Sequence, residues 1–275
     1  MKKIRIIIIL MLCVALMSSC YYFENRITDS DFDVDRALEK LLTCDNYKSE
    51  VFSEHSIIYD GDAEESKGTY ESVIFHYPYK CRSFSLASLN DKGVVSSTVY
   101  QIEKGRHIED KITYQLENGD RKEFDTTIQT VHEEFFVKQM KNCIVSEELI
   151  EETNEDGEDI RKYKVVVTGY PFIGLFGISA DKGDPETIIF IDEFKTCEVY
   201  VYIDAKTNDI RKIEYDLSEK KDLSQKINER IKKENNEDPI MFEFEKIKYS
   251  MTISNINGDS AEIAEIRKEI DIEMQ

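Results

Sequence analysis

Val73-Ile74-Phe75-His76-Tyr77-Pro78-Tyr79-Lys80-Cys81 decides the class of this fold. Val73, Phe75, Tyr77, Tyr79 and Cys81 fall on every second position, and a strand sends alternate side chains to opposite faces, so the stretch reads as a strand with one buried face. Pro78 lacks the N–H that an interior strand donates, which assigns this strand to a sheet edge or a bulge. Outward from it, period two extends from about residue 46 to about Glu134, cut at Asp60-Gly61, Lys92-Gly93, Lys104-Gly105 and Asn118-Gly119. Asn-Gly tolerates positive φ at both positions and is a strong hairpin signal. Spacings of 12 and 14 residues between Gly93, Gly105 and Gly119 predict a meander of long antiparallel strands.

Helical periods flank and interrupt the strands. Ser30 is placed to cap a helix whose start is favoured by Asp31 and Asp33 and whose apolar face is Val34, Leu38, Leu41 and Leu42. It should end near Cys44-Asp45-Asn46. A second helix is expected over Val131 to Lys141, with Phe135, Phe136 and Met140 inward. Strands resume at Cys143–Glu152, turn at Asn154-Glu155-Asp156-Gly157, and return through Tyr163, Val165 and Val167. A long strand is expected from Thr187 to Asp204, with a partner carrying Ile213, Tyr215 and Leu217. Leu223, Ile227 and Ile231 outline a charged amphipathic helix. Phe242, Phe244, Ile247, Tyr249, Met251 and Ile253 form a strand whose phase slip near Lys246 predicts a bulge. After Asn257-Gly258, Ile263, Ile266 and Ile270 read as a helix, with a last edge strand as the alternative. The class is α+β, one domain with a large curved antiparallel sheet and inserted helices.

The opening of the chain belongs to targeting rather than to the fold. Met1-Lys2-Lys3-Ile4-Arg5 precedes an apolar run, Ile6 to Met17, of 12 residues. A helix needs roughly 20 to cross a bilayer, so this is a signal segment, not a span. Leu16-Met17-Ser18-Ser19-Cys20 resembles the lipobox of bacterial lipoproteins, with Met17 where that motif usually has leucine. The resemblance implies that Cys20 receives a diacylglycerol and becomes the first residue. Residues 1–19 then form a lipoprotein signal peptide, 20–29 a lipid-anchored tether and 30–275 the folded domain. The body would sit on the extracytoplasmic face of the cell membrane, and the lysine-, isoleucine- and glutamate-rich composition fits a monoderm bacterium of the Gram-positive type.

The whole chain carries a formal net charge of −20 and 33% charged residues, with 41% hydrophobic residues, 15 tyrosines and 14 phenylalanines. That apolar content supports a core, and the sign of the charge argues against nucleic acid, whose phosphates are bound by lysine and arginine. Cys44, Cys81, Cys143 and Cys197 remain after Cys13 and Cys20 are set aside. Their wide spacing, without C-x-x-C, leaves two readings: one or two disulfides, or small buried apolar residues.

The lipobox, the N-terminal amphipathic helix, the meandering strands with helices inserted between strand groups, and the hairpin Tyr202-Ile203-Asp204-Ala205-Lys206-Thr207-Asn208-Asp209-Ile210 together resemble the LolA/LppX-like lipoprotein family. The resemblance implies an incomplete β-barrel, a half-barrel, wrapped around helices, with an apolar interior that in several relatives carries acyl chains or other hydrophobic ligands. Residue matches are confined to the one hairpin, and a fold does not assign a ligand.

The strongest candidate contact for a ligand is the loop from Gly169 to Gly177, too interrupted for a regular helix or strand. Its Tyr170, Phe172, Ile173, Leu175 and Phe176 either pack under the sheet as a plug or line the mouth of a cavity. In a half-barrel, Tyr200, Tyr202 and Tyr249 would join them. Metal motifs fail: Asp29, Asp31, Asp33 and Asp35 alternate as in a calcium loop, but Val34 and Lys40 occupy the places of its glycine and glutamate. His132-Glu133-Glu134-Phe135-Phe136 lacks the second histidine of a zinc helix. His55, His76, His107 and His132 stand apart, and His76 and Cys81, five apart in one strand, should face opposite ways. No enzyme, metal or cofactor is expected. The expected function is a non-catalytic envelope lipoprotein holding a hydrophobic or amphiphilic ligand, with the membrane as partner through Cys20. The alternative is a solid-cored structural module that binds another exported protein.

Overall fold

The computed structural model describes residues 32–59, 62–89, 94–104, 107–115, 121–126, 133–155, 157–176, 184–235 and 243–275. The signal segment, Cys20, the tether, Ser30, His132, Phe242 and the glycine turns at 61, 93, 105 and 119 lie outside them. Among the described residues, eleven strands form one antiparallel sheet. They are β1 (Asn46–Tyr59), β2 (Asp62–His76), β3 (Tyr79–Leu89), β4 (Val94–Lys104), β5 (His107–Gln115), β6 (Arg121–Thr126), β7 (Ile144–Glu155), β8 (Glu158–Thr168), β9 (Thr196–Asp204), β10 (Ile210–Asp216) and β11 (Glu243–Ser254). Their order is β6-β5-β4-β3-β2-β1-β11-β10-β9-β8-β7. Two meanders, one on each side, are therefore joined at the β1–β11 pair.

This order forces the sheet to curl. Strands lie about 4.8 Å apart, so in a flat sheet the edges β6 and β7 would stand about 48 Å from each other. Residues 127–143 connect them and contain the nine-residue helix α2 (Glu133–Lys141). Pulled straight, that connection would span about 45 Å at most. Phe136 of α2 lies on Tyr215 of β10 and Tyr249 of β11, with ring centroids 5.4 and 5.9 Å apart, which holds the helix against the sheet. The two edges must approach each other around the helices, giving an open, curved sheet.

Helices α1 (Asp33–Thr43), α2, α3 (Pro185–Phe194) and α4 (Leu223–Asn235), with a 3-10 helix at Tyr170–Phe176, supply the inner side. Val34, Leu38 and Leu41 of α1, Phe136, Val137 and Met140 of α2, and Leu223, Ile227 and Ile231 of α4 join one core with Val165, Val199, Val201, Ile213, Met251 and Ile253 of the sheet. Helix α5 (Ala261–Glu273), capped by the Ser260 hydroxyl, lies on the other side, where Ile263, Ile266 and Ile270 cover Val73, Phe75 and Tyr100.

Several expectations need correction. Val73 to Cys81 is not one strand but the β2–β3 hairpin. Strand β2 stops at His76, Tyr77-Pro78 is a cis peptide in the turn, and His76 pairs with Tyr79. The turn reverses the phase, so Val73 and Phe75 go under α5 whereas Cys81 belongs to the inner core. Since Ile74 pairs with Cys81, His76 and Cys81 share the inner face rather than opposing each other. Thr187 to Phe194 is helical, not the start of a long strand. The Asp184 carboxylate accepts from the Glu186 N–H, Pro185 supplies the first turn, and Lys195, at φ 62°, ends the helix before β9. The loop after Gly169 is regular, a 3-10 helix. Helix α1 begins at Asp33 with no side-chain cap of its own, and Glu147 of β7 instead accepts from the N–H groups of Asp33 and Val34 at 2.7 and 2.9 Å. The phase slip near Lys246 is present as a bulge: Lys246 pairs with Ser56, and Phe244 with Ile57.

Candidate functional site

Gly169 delivers Tyr170–Phe176 to the centre of the inner side. A Cβ on Gly169 would stand 2.6 Å from the Phe194 ring, so only glycine lets the chain pass there. Phe172 stacks on Phe194 with centroids 5.3 Å apart and meets Tyr215 edge-on at 5.0 Å. It also meets Phe136 edge-on at 5.5 Å, and Tyr215 stacks on Tyr249 at 4.8 Å. Phe172 and Ile173 are fully buried and Tyr170 nearly so, while Leu175 packs against this core from its border. The Phe176 side chain lies outside the described residues. Burial drives the Tyr215 hydroxyl well above the ordinary tyrosine range, so it stays neutral. The glycine-bounded aromatic segment is a plug wedged between α2, α3 and the sheet.

Tyr249 belongs to this cluster, but Tyr200 and Tyr202 do not. Val199, Val201 and Ile203 of β9 are the buried residues, and the two tyrosines between them project from the outer face. There the Lys162 ammonium lies 5.0 and 5.1 Å from their rings, and Lys212 lies 5.2 Å from Tyr202. The Tyr202 hydroxyl donates to Glu214 at 2.5 Å and Tyr200 to Glu198 at 3.2 Å. Strand alternation therefore divides the expected ligand set between two faces that cannot touch one molecule.

The inner face changes character across the sheet. Under the helices, on β8 to β11, it is apolar. On β1 to β4 the register brings Ser49, Ser72 and Ser83 into one row and Val51, Tyr70, Ser85 and Ser97 into the next. Ser72 and Ser83 bond at 2.9 Å, Ser83 approaches the Cys81 sulfur at 3.4 Å, Ser85 and Ser97 bond at 2.6 Å, and Ser53 meets the Tyr70 hydroxyl at 2.7 Å. Ser49 is fully buried, and its Oγ has no hydrogen-bond partner among the described residues. Sequence reading missed this hydroxyl floor because serine at every second position looks like the wet face of a strand. The signal was there in Ser49 and Ser53, which share a phase with the apolar Tyr47 and Val51.

The remaining reactive groups are committed or inert. Cys44, Cys81, Cys143 and Cys197 are free thiols; Cys44 and Cys81 are buried, as the second of the two readings has it, and Cys143 and Cys197 are half-buried. Burial pushes the Cys44 and Cys197 thiols up to about 12, so neither is a thiolate at neutral pH. His76 donates from Nδ1 to the Cys44 carbonyl at 2.6 Å. Asp33 accepts from Tyr163 at 3.0 Å and pairs with Arg36. Among the described residues no group of three or more histidine, cysteine or acidic side chains is placed to hold a metal ion. No described helix is long and apolar enough to cross a membrane.

No family model and no curated protein matches the chain. Among solved structures it is similar to the lipoprotein LppX of Mycobacterium tuberculosis at 9% identity, covering 83% of this chain and 94% of that one with a TM-score of 0.42. It is also similar to LprF of Mycobacterium bovis at 7% identity, covering 83% and 93% with a TM-score of 0.46. Likeness at this level assigns no ligand.

Proposed function

We propose that the chain is a non-catalytic envelope lipoprotein, anchored through diacylglyceryl-Cys20 on the extracytoplasmic face. Its curved sheet would take up a hydrophobic or amphiphilic molecule at its inner face. The observation that carries this reading is the uneven inner face. The inner face of β8 to β11 is apolar under α1 to α4 and the aromatic plug, while on β1 to β4 buried serines alternate with Tyr47, Val51, Ile74 and Cys81 of the same core. The lipobox supplies the anchor and the location. The test is native mass spectrometry of the protein purified from membranes, with Cys20→Ser as the control for the anchor. A co-purifying apolar molecule is expected in both forms, together with loss of palmitate labelling in the variant. A protein with no adduct in either form would end the carrier reading.

The solid-cored interaction module remains the second reading, and the burial of Phe172 and Ile173 favours it. If it holds, the protein would co-purify with an exported partner and no lipid.

A further inference from the structure

We propose that the free edge of β7 takes up, as an added strand, a short extended segment of another protein that carries adjacent lysine or arginine residues. The inner face plays no part in this, so the inference goes beyond the carrier reading. Strand β7 ends the sheet, and among the described residues only β8 pairs with it. An unpaired edge presents backbone N–H and C=O groups at ladder spacing, the platform on which strand addition works. Apolar side chains border that platform. Val145, Leu149 and Ile150 are 54%, 46% and 42% exposed. Register shifts between Ile144 and Ser146 and between Leu149 and Glu151 divide the strand into the regular runs 146–149 and 151–155. The ladder is broken at each shift, so the segment that fits is short.

The charges select the partner. Strand β7 holds Glu147, Glu148, Glu151, Glu152 and Glu155 and no lysine or arginine. Glu147 is committed to the first N–H groups of α1, and Glu148 lies 3.6 Å from Lys164 of β8. Glu151 and Glu152 stand opposite Lys162 and Arg161, but those cations are engaged elsewhere. Lys162 lies over the rings of Tyr200 and Tyr202, and Arg161 reaches Asn208 at 3.3 Å and Asp33 at 3.9 Å. The exposed Glu151 and Glu152 carboxylates are left without an ion pair among the described residues. Being consecutive, they lie on opposite faces of the sheet. A partner matches both only with two adjacent basic residues, as β8 itself shows with Arg161-Lys162. A second copy of β7 is the wrong partner. Paired with itself about Leu149 and Ile150, it would set Glu148 against Glu151 and Glu147 against Glu152, and like charges directly opposite are destabilising. Glutamates and bulges thus guard this edge against its own copies and leave it open to a basic strand.

The test titrates the full chain in detergent with the fluorescein-labelled peptide TRKYKVT and follows anisotropy. Two further peptides serve as controls: TEEYEVT, and TRKYKVT N-methylated at every residue, which keeps the charges but has no N–H to give a ladder. TRKYKVT should bind and TEEYEVT should not. The N-methylated form should bind about tenfold more weakly, as the loss of a few main-chain hydrogen bonds allows. Glu151→Gln with Glu152→Gln, at exposed positions where the fold is not at risk, should weaken TRKYKVT about fivefold, the scale of two partly exposed ion pairs. Amide exchange over residues 151–155 should slow when the peptide is bound. Failure of TRKYKVT to bind, equal binding of its N-methylated form, or an affinity untouched by the double substitution would each overturn the inference. None of these outcomes bears on the carrier reading, which stands or falls on the co-purifying apolar molecule.

Discussion

At the scale of single residues, two positions hold the architecture in place. Gly169 passes within a side chain's width of Phe194, which is fully buried, stacked on Phe172 and in contact with Phe190. Gly169→Ala should destabilise by about 1–3 kcal/mol, the usual cost of overpacking a filled core, measured by urea unfolding. Asp204 anchors the β9–β10 hairpin. Burial works to raise its pKa, but the N–H groups of Thr207 and Lys206 and the Arg211 guanidinium outweigh it and hold the carboxyl at about 2. A depressed carboxylate adds stability that is fully present above the unfolded value near 4 and is lost as pH falls through 2. Asp204→Asn should therefore lose stability at pH 6 and much less at pH 2, and thermal melts at the two values check it. An equal loss at both would assign the role to shape rather than charge.

Among the elements, α5 shows which of two effects holds it. Its apolar strip of Ile263, Ile266 and Ile270 is buried on the sheet, and its borders carry charge pairs, Lys80 with Asp271, Lys111 with Glu273 and Arg82 with Glu269. Buried isoleucine truncation costs about 2–5 kcal/mol, whereas partly exposed ion pairs contribute about 0–1 kcal/mol. Ile266→Ala should thus cost several times more than Lys80→Ala in chemical denaturation. The reverse ranking would mean that α5 is an electrostatic strap. Helix α1 is a contrasting case. Its first turn is completed by Glu147 from β7, so the first described helix is tied to the far edge of the sheet.

For the whole molecule, the strand order and the short β6–β7 connection require a closed-in shape. A compact domain of residues 30–275 should have a radius of gyration of about 18 Å. Small-angle scattering of the soluble body should fall within a few ångströms of that value, and a value above about 25 Å would show the sheet open and flat. The same curvature lets the helices cover the inner side at β8 to β11, while on β1 to β4 serines share that face with Tyr47, Val51 and Ile74. The net charge of −20 spreads over the outside, where Lys162, Lys164 and Lys212 interleave with Glu148, Glu198 and Glu214.

Alternation at Tyr163, Val165 and Val167 and at Ile213 and Tyr215, helical spacing at Val34, Leu38 and Leu41, and the bulge near Lys246 were all legible in the chain alone. Each is a local period imposed by one buried side. The class, α+β with a large antiparallel sheet, follows from these periods. What they cannot encode is which side of the sheet the helices occupy. Tyr200 and Tyr202 were read as interior because aromatic residues are apolar, but Val199 and Val201 win the inner face. Phe75 and Cys81 were read on one face because the Tyr77-Pro78 turn between them reverses the phase unseen. Ser49 and Ser72 were passed over because a hydroxyl looks solvated until a distant segment covers it. Burial belongs to pairs of segments far apart in sequence, so only the tertiary structure could decide which of two equally periodic faces became the inside.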